Sequence, residues 1–360
     1  MKPTDTMDIG RGYVLKNRTV LAAMTNKQSH EDGTLSDDEI NWLARRADGG
    51  FAVTTTAAAN VTEHGRGWEG EMGVWGDHHI PGLTKLATRM NSTGTISLVQ
   101  LFHGGMRAPR ALNGVRPISA SENTESGMDG EYTREMSSNE VSQMIQSFTD
   151  AAVRCEQAGF SGVELHGAHS YLICQFLGTK TNRRADQWGG DINGRSRFLL
   201  ELIKSIRAAT GENFLIAVRI SPIIDKAGIY LEDSLALAQI LCCAEIDMLH
   251  ISCWDVFEPV NDGIEDSLTR RFRNVIPENF PLISTGAVWT TEDAQWLIDQ
   301  GADLVGVARV GIAHPDWPRY LDDPNYQPQR PPFTENHLRS VDLSDVFIDY
   351  MKRWKNFVVQ

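Results

Sequence analysis

The chain has 360 residues, 41% of them apolar, enough for one large core or two ordinary domains. Acids outnumber bases 47 to 34, a net charge of −13, which argues against a nucleic-acid surface and against adhesion to anionic membranes. There is no signal-like apolar run at the N-terminus and no stretch apolar enough to cross a bilayer. Cysteines 155, 174, 242, 243 and 253 form no CxxC pair, zinc pattern or iron–sulfur spacing. Reduced core thiols in a cytoplasm are expected, and no metal.

In chain order the sequence repeats one unit, a helix and then a short apolar strand. "TVLAAMT" from Thr19 is the first strand. "DDEINWLARRADGG" precedes "FAVTTT", and "LTKLATRMNSTG" precedes "TISLVQ". Residues 106–136 then form a long loop with glycines and serines, expected to lie over one end of the fold. Over 141–155 the apolar positions keep to one helical face; Gly159 stops that helix and "SGVELH" follows. Phe198, Leu199, Leu202, Ile203 and Ile206 repeat the pattern before "NFLIAVRIS". A helix over 234–242 leads to "DMLHIS". After "PLIST", the stretch "TTEDAQWLIDQG" offers a Thr cap, an acidic first turn and a stopping glycine, and runs into "ADLVGVAR". Eight strands begin near 19, 51, 95, 162, 214, 248, 282 and 304.

These strands are continuously apolar, as strands covered on both faces are. Eight of them separated by helices predict an α/β fold, a (β/α)₈ TIM barrel, over about residues 10–320. A doubly wound sheet fits less well, because no GxGxxG follows the first strand. Residues 324–332, "PNYQPQRPP", make a stiff spacer within a C-terminal helical arm, 321–360. In that arm Val346, Phe347, Tyr350, Met351 and Trp354 share one apolar helical face. It covers its own barrel or a neighbouring subunit of a homo-oligomer. The whole is read as a single domain, 1–360.

Barrel enzymes place their chemistry at the carboxyl ends of the strands. There this chain has Thr25, Thr56, Gln100, His166, Arg219, Ser252, Thr285 and Arg309. Arg219 is the lone charge in "LIAVRIS", and a buried guanidinium needs an anionic or electron-rich partner. That partner is a strand acid, Glu164 or Asp247, or a bound cofactor that develops negative charge. Gln100 offers a donor and an acceptor together, which suits the mixed edge of a flavin or a satisfied core site. "STGA" at 284–287 and "VGVAR" at 305–309 occupy the two loops in which barrels commonly hold phosphate. His166 and His169, on a helical turn, would share a face, but no third metal ligand stands at matching spacing. The remaining reading is a pair of N–H donors aimed at one oxygen, with Tyr171 close by as a proton source.

From "LKNRTVLAAMT" (15–25) to "GIAHPDW" (311–317) the sequence resembles the Old Yellow Enzyme family of FMN-dependent ene-reductases. The resemblance rests on the order and spacing of several blocks: "EDGTLSDDE", "HGRGW", "GVWGD", "VQLFHGG", "HGAHSYLICQFL", "NRRADQWGGDINGRSRFL" and "AVRISP". It implies FMN, with NADPH or NADH as hydride donor and an activated alkene as the small-molecule partner. By the same resemblance Ala23, Met24 and Thr25 would lie against the flavin, and Ala58, Gln100 and Arg219 would hold its ring. Gly286, Ala287, Ala308 and Arg309 would hold its phosphate. His166 and His169 would grip the substrate oxygen, Tyr171 would donate the proton, and Phe102 and Lys27 would line the substrate pocket. The sequence departs from the family pattern at Ala57, where many members have an acid, and at Ala287 and Ala308, which replace frequent glycines. Lys27 stands where one subgroup has Tyr, Thr25 where one has Cys, and Ser170 replaces a common Gly. The rivals are relatives that oxidise amines or reduce dienoyl thioesters, which usually carry a cysteine cluster, and a flavin-binding protein without turnover.

Overall fold

A computed structural model of the chain describes residues 1–124, 133–260, 263 and 265–359. The eight apolar runs of the sequence are eight parallel barrel strands. They are β1 Thr19–Leu21, β2 Val53–Asn60, β3 Ile96–Phe102, β4 Gly162–Gly167, β5 Leu215–Ile220, β6 Met248–Ser252, β7 Leu282–Thr285 and β8 Leu304–Val307. Each pairs with its neighbour in sequence and β8 pairs back to β1, so the sheet is a closed (β/α)₈ barrel.

The outer helices are α1 Asp37–Asp48, α2 Ile80–Asn91, α3 Ser138–Gln157, α4 Leu172–Leu177, α5 Ile192–Ala209, α6 Leu231–Cys242, α7 Leu268–Val275, α8 Thr291–Asp299 and α9 Arg309–Ala313. Their starts follow local chemistry. Ser36 caps α1 by accepting from the Glu39 amide, and Asp191 caps α5 by accepting from the Gly194 amide. Ser137 with Glu140, and Thr290 with Asp293, form reciprocal capping boxes on α3 and α8.

The barrel interior changes character along its axis. At the amino end Val20, Val53, Leu98, Leu215, Ala217, Met248, Ile283 and Leu304 form one apolar cluster, joined by Ile9 and Leu15 of the N-terminal hairpin. Side chains two apart in a strand share a face. The next inward positions on β3, β5, β6 and β7 are therefore Gln100, Arg219, His250 and Thr285, all buried. The polar layer at the carboxyl end is thus set by strand periodicity.

The segment between β3 and α3 does run over this end, since Arg107, Pro109, Ala111 and Leu112 line the cavity there. The part of that loop at 125–132 lies outside the described residues. The arm carries α10 Glu335–Ser340 and α11 Asp345–Met351. It packs on its own barrel. The Phe347 ring meets Trp42 of α1 edge-on at 5.2 Å, and Arg46 donates to the Val341 carbonyl at 2.8 Å. The apolar face is narrower than the sequence predicts: α11 ends at Met351, before Trp354, and Val346 stays 55% exposed. No helix among the described residues is long and apolar enough to cross a membrane.

Candidate active site

The mouth of the barrel holds three adjoining cavities. The inner one is lined by Ala23, Met24, Thr25, Ala58, Trp68, Gln100, His166, His169, Tyr171 and Arg219. It continues past His169 and Arg219 into a second, walled by Ser252, Thr285, Gly286, Ala287, Ala308 and Arg309. Outward, Thr25, Trp68 and Tyr171 are shared with a larger cavity of about 590 Å³. Of the residues expected from the sequence to hold cofactor or substrate, all line one of these cavities except Phe102; the strand-end Thr56 lines none of them either. Phe102 stands behind the wall, 1% exposed, with its ring edge-on to Tyr171 at 4.5 Å and 5.3 Å from Trp68. It props the pocket wall instead of forming it. Thr56 is buried within β2 and accepts from the Gln100 amide.

Arg219 has neither of its two candidate acids as a hydrogen-bond partner. Asp247 is held by Arg207 at 2.7 Å and by Arg11, below the polar layer. Glu164 accepts from Gln100 Nε2 at 2.7 Å and pairs with His250 Nδ1 at 2.6 Å. Arg219 instead donates to the Ala23 carbonyl at 3.2 Å and to Ser252 Oγ at 3.0 Å, while its buried Nε has no partner. The interior chain continues through His250 Nε2 to Thr285 Oγ1 at 2.7 Å. Burial alone would raise the Glu164 carboxyl, but His250, Arg219 and Gln100 together carry its pKa below the ordinary value. Glu164 is thus a carboxylate. Burial, outweighing the pull of Glu164, lowers the His250 pKa, and the Nδ1 that faces the carboxylate carries the proton between them. Gln100, which lines the inner cavity, is pinned by its side-chain amide nitrogen.

The histidines do not share a helical turn. His166 is the penultimate residue of strand β4, and His169 stands in the following turn with φ +57°, next to Ser170 at φ +62°. Tyr171 is the N-cap of α4. The turn is nonetheless well held: the His169 amide donates to Ser221 Oγ at 3.1 Å, and Arg107 donates to the His169 carbonyl at 2.9 Å. The two imidazoles come within 5.0 Å, ring centre to ring centre, and His166 lies 5.1 Å from the Tyr171 ring. The Arg107 guanidinium covers that ring at 4.8 Å. Burial first, then the positive charge of Arg219 and other neighbours, depresses both imidazoles well below the usual histidine range, so both are neutral. His169 Nε2 lies 2.9 Å from Ser252 Oγ, the hydroxyl that also accepts from Arg219 at 3.0 Å. His166 Nδ1 is buried without a partner.

A flavin mononucleotide fits this donor set. Arg219 and His166, each with a buried nitrogen that has no partner, line the inner cavity together with Gln100. In the second cavity a Cβ at Gly306 would stand 1.8 Å from Thr285 Oγ1, and one at Gly286 would stand 2.7 Å from the Cys253 carbonyl. The bare backbone there brings β7 and β8 close together. Ala287 holds a left-handed φ of +58° beside them. Several site residues escape sequence reading. Trp68 was visible only as part of the block "HGRGW" and Tyr350 only as part of an apolar helical face; His250 and Arg353 carry no local signal, because long-range pairing brings them in.

Comparison with known proteins agrees with this geometry. Residues 5–326 match the model of the NADH:flavin oxidoreductase / NADH oxidase family. The chain is 33% identical over 317 residues to a probable NADH-dependent flavin oxidoreductase of Bacillus subtilis, covering 85% of this chain and 84% of that protein. It is 35% identical over 317 residues to an NADH:acrylate oxidoreductase of Vibrio harveyi, covering 85% of this chain but only 32% of that longer protein. Its fold superposes on an Old Yellow Enzyme homologue from Zymomonas mobilis with a TM-score of 0.83 at 24% identity, covering 96% of this chain and 99% of that one. The chain belongs to the NADH:flavin oxidoreductase / NADH oxidase family, as an FMN oxidoreductase that uses a nicotinamide cofactor.

Proposed function

We propose that this protein reduces the activated C=C bond of α,β-unsaturated carbonyl or nitro compounds, taking hydride from NADPH or NADH in a ping-pong cycle at one site. The observation that carries the reading is the meeting of two neutral imidazoles and a tyrosine over a guanidinium with an orphaned nitrogen. FMN, when bound, supplies the hydride chemistry. Gln100 and Arg219 would hold its ring edge, with Ala23, Met24, Thr25 and Ala58 beside it, and Gly286, Ala287, Ala308 and Arg309 would hold its phosphate. A guanidinium there favours the charge that the ring gains on reduction.

His166 and His169 hold the substrate oxygen and polarise the alkene. Being neutral, they donate hydrogen bonds and leave the oxygen unprotonated, so the alkene's electrons are drawn toward it. Tyr171 delivers a proton to the α-carbon as hydride reaches the β-carbon. Thr25, Lys27 and Trp68 complete the wall around the alkene. The experiment is anaerobic mixing with NADPH followed by an enone. Loss of the yellow colour, then its return with one saturated ketone formed per flavin, is expected. A flavin that is bleached but not restored by any enone or nitroalkene contradicts the substrate class.

A further inference from the structure

The outer cavity carries a charge pattern that hydride and proton transfer do not use. Lys27 Nζ lies 5.9 Å from the centroid of the Tyr350 ring, and the Arg353 guanidinium lies 5.7 Å from the same centroid. All three side chains line the cavity, two of them delivered by the C-terminal arm. Lys27 is half-buried and held by a left-handed backbone, φ +60°. That backbone is fixed from below, where Asn26 Nδ2 and Ser29 Oγ donate to the buried Glu39 carboxyl.

Among the described residues neither Lys27 nor Arg353 pairs with a carboxylate, and Glu69, the carboxylate on the same wall, pairs with neither. Two like charges on one ring repel each other, and on a chain of net charge −13 acids to neutralise them are plentiful. The third cation of the wall, Arg107, is engaged with the His169 carbonyl and the Tyr171 ring. The outer cavity shares Thr25, Trp68 and Tyr171 with the inner one, so this pair stands in the cavity that adjoins the histidines.

We infer that Lys27, Tyr350 and Arg353 form an oxyanion subsite at the outer end of the active cavity, taking the carboxylate of an acidic alkene substrate or a phosphate of the nicotinamide dinucleotide. This rests on the proposed placing of the substrate oxygen at His166 and His169. The test is calorimetric binding to the FMN-loaded protein of phenol, 4-hydroxybenzoate and the unreactive tetrahydro forms of NAD and NADP. Lys27→Gln and Arg353→Gln are each expected to weaken a charged ligand about five-fold, and Arg353→Gln, which lies off the alkene wall, to change phenol less than two-fold. The loss should shrink as salt is raised. A loss on hydroxybenzoate identifies the substrate carboxylate as the anion; a loss on the dinucleotides identifies a phosphate. Unchanged affinity for all four ligands in both variants overturns the subsite. Wild-type protein that does not bind phenol at all overturns the placing of the oxygen at the histidines; the subsite alone has failed when phenol binds normally and the charged ligands ignore both substitutions.

Discussion

Arg219 shows how far a single residue can be read. Its place as the lone charge of an apolar strand marked it as functional, and its two acid partners by sequence prove to be bonded elsewhere. The pairing that occupies them was not legible, because Glu164, Gln100 and His250 meet only when three strands align in register. Tyr171 belongs to the same scale. Its role is to supply a proton, so Tyr171→Phe should slow enone reduction about a hundred-fold or more while flavin reduction by NADPH stays within about two-fold. Stopped-flow measurement of the two half-reactions separately checks this, and an equal fall in both removes Tyr171 as the donor. His166→Ala or His169→Ala should each weaken phenol binding about ten-fold, the loss of one hydrogen bond to a charged oxygen. A spectral titration that finds unchanged affinity removes them from the oxygen-holding role.

At the scale of elements, the barrel strands were legible because strands buried on both faces are uniformly apolar. The turn after β4 was not. The spacing of His166 and His169 suits a helix, yet the chain is still a strand at His166 and turns through two left-handed residues before α4 begins. The hydrogen bonds from Arg107 and to Ser221 hold that turn, and neither is local in sequence. Ala287 is a further left-handed residue without glycine's freedom, at φ +58°. Ala287→Gly should relieve about 1 kcal/mol of backbone strain and raise the denaturant midpoint. A lower midpoint means that the alanine methyl packs more favourably than its backbone is strained.

Over the whole molecule, the arm ties the mouth to the outer helices. The sequence predicted a covering helix and left open which barrel it covers; Phe347 against Trp42 answers that. Phe347→Ala should lower stability by about 3–5 kcal/mol, measured by denaturant unfolding. Acid sensitivity is also a property of the whole. His103 is held down to about 3 by burial, and His79 to about 4 by burial and the neighbouring His78. His166 and His169 are depressed in the same direction. Each is neutral in the fold and takes up a proton once unfolded below about pH 6.5. Stability is therefore full above that pH and falls as pH drops toward the folded values, by up to about 1.4 kcal/mol per pH unit for each group. A melting temperature that stays level from pH 7.5 to about 5 contradicts these buried neutral histidines.

The measurement nearest the centre of this account is equilibrium titration of the flavin-free protein with FMN, comparing wild type with Arg219→Gln. Saturable binding of one FMN per chain by the wild type is predicted, weakened about ten-fold or more in a variant whose circular dichroism is unchanged. Equal affinity in the two proteins, or no FMN binding by either, contradicts it.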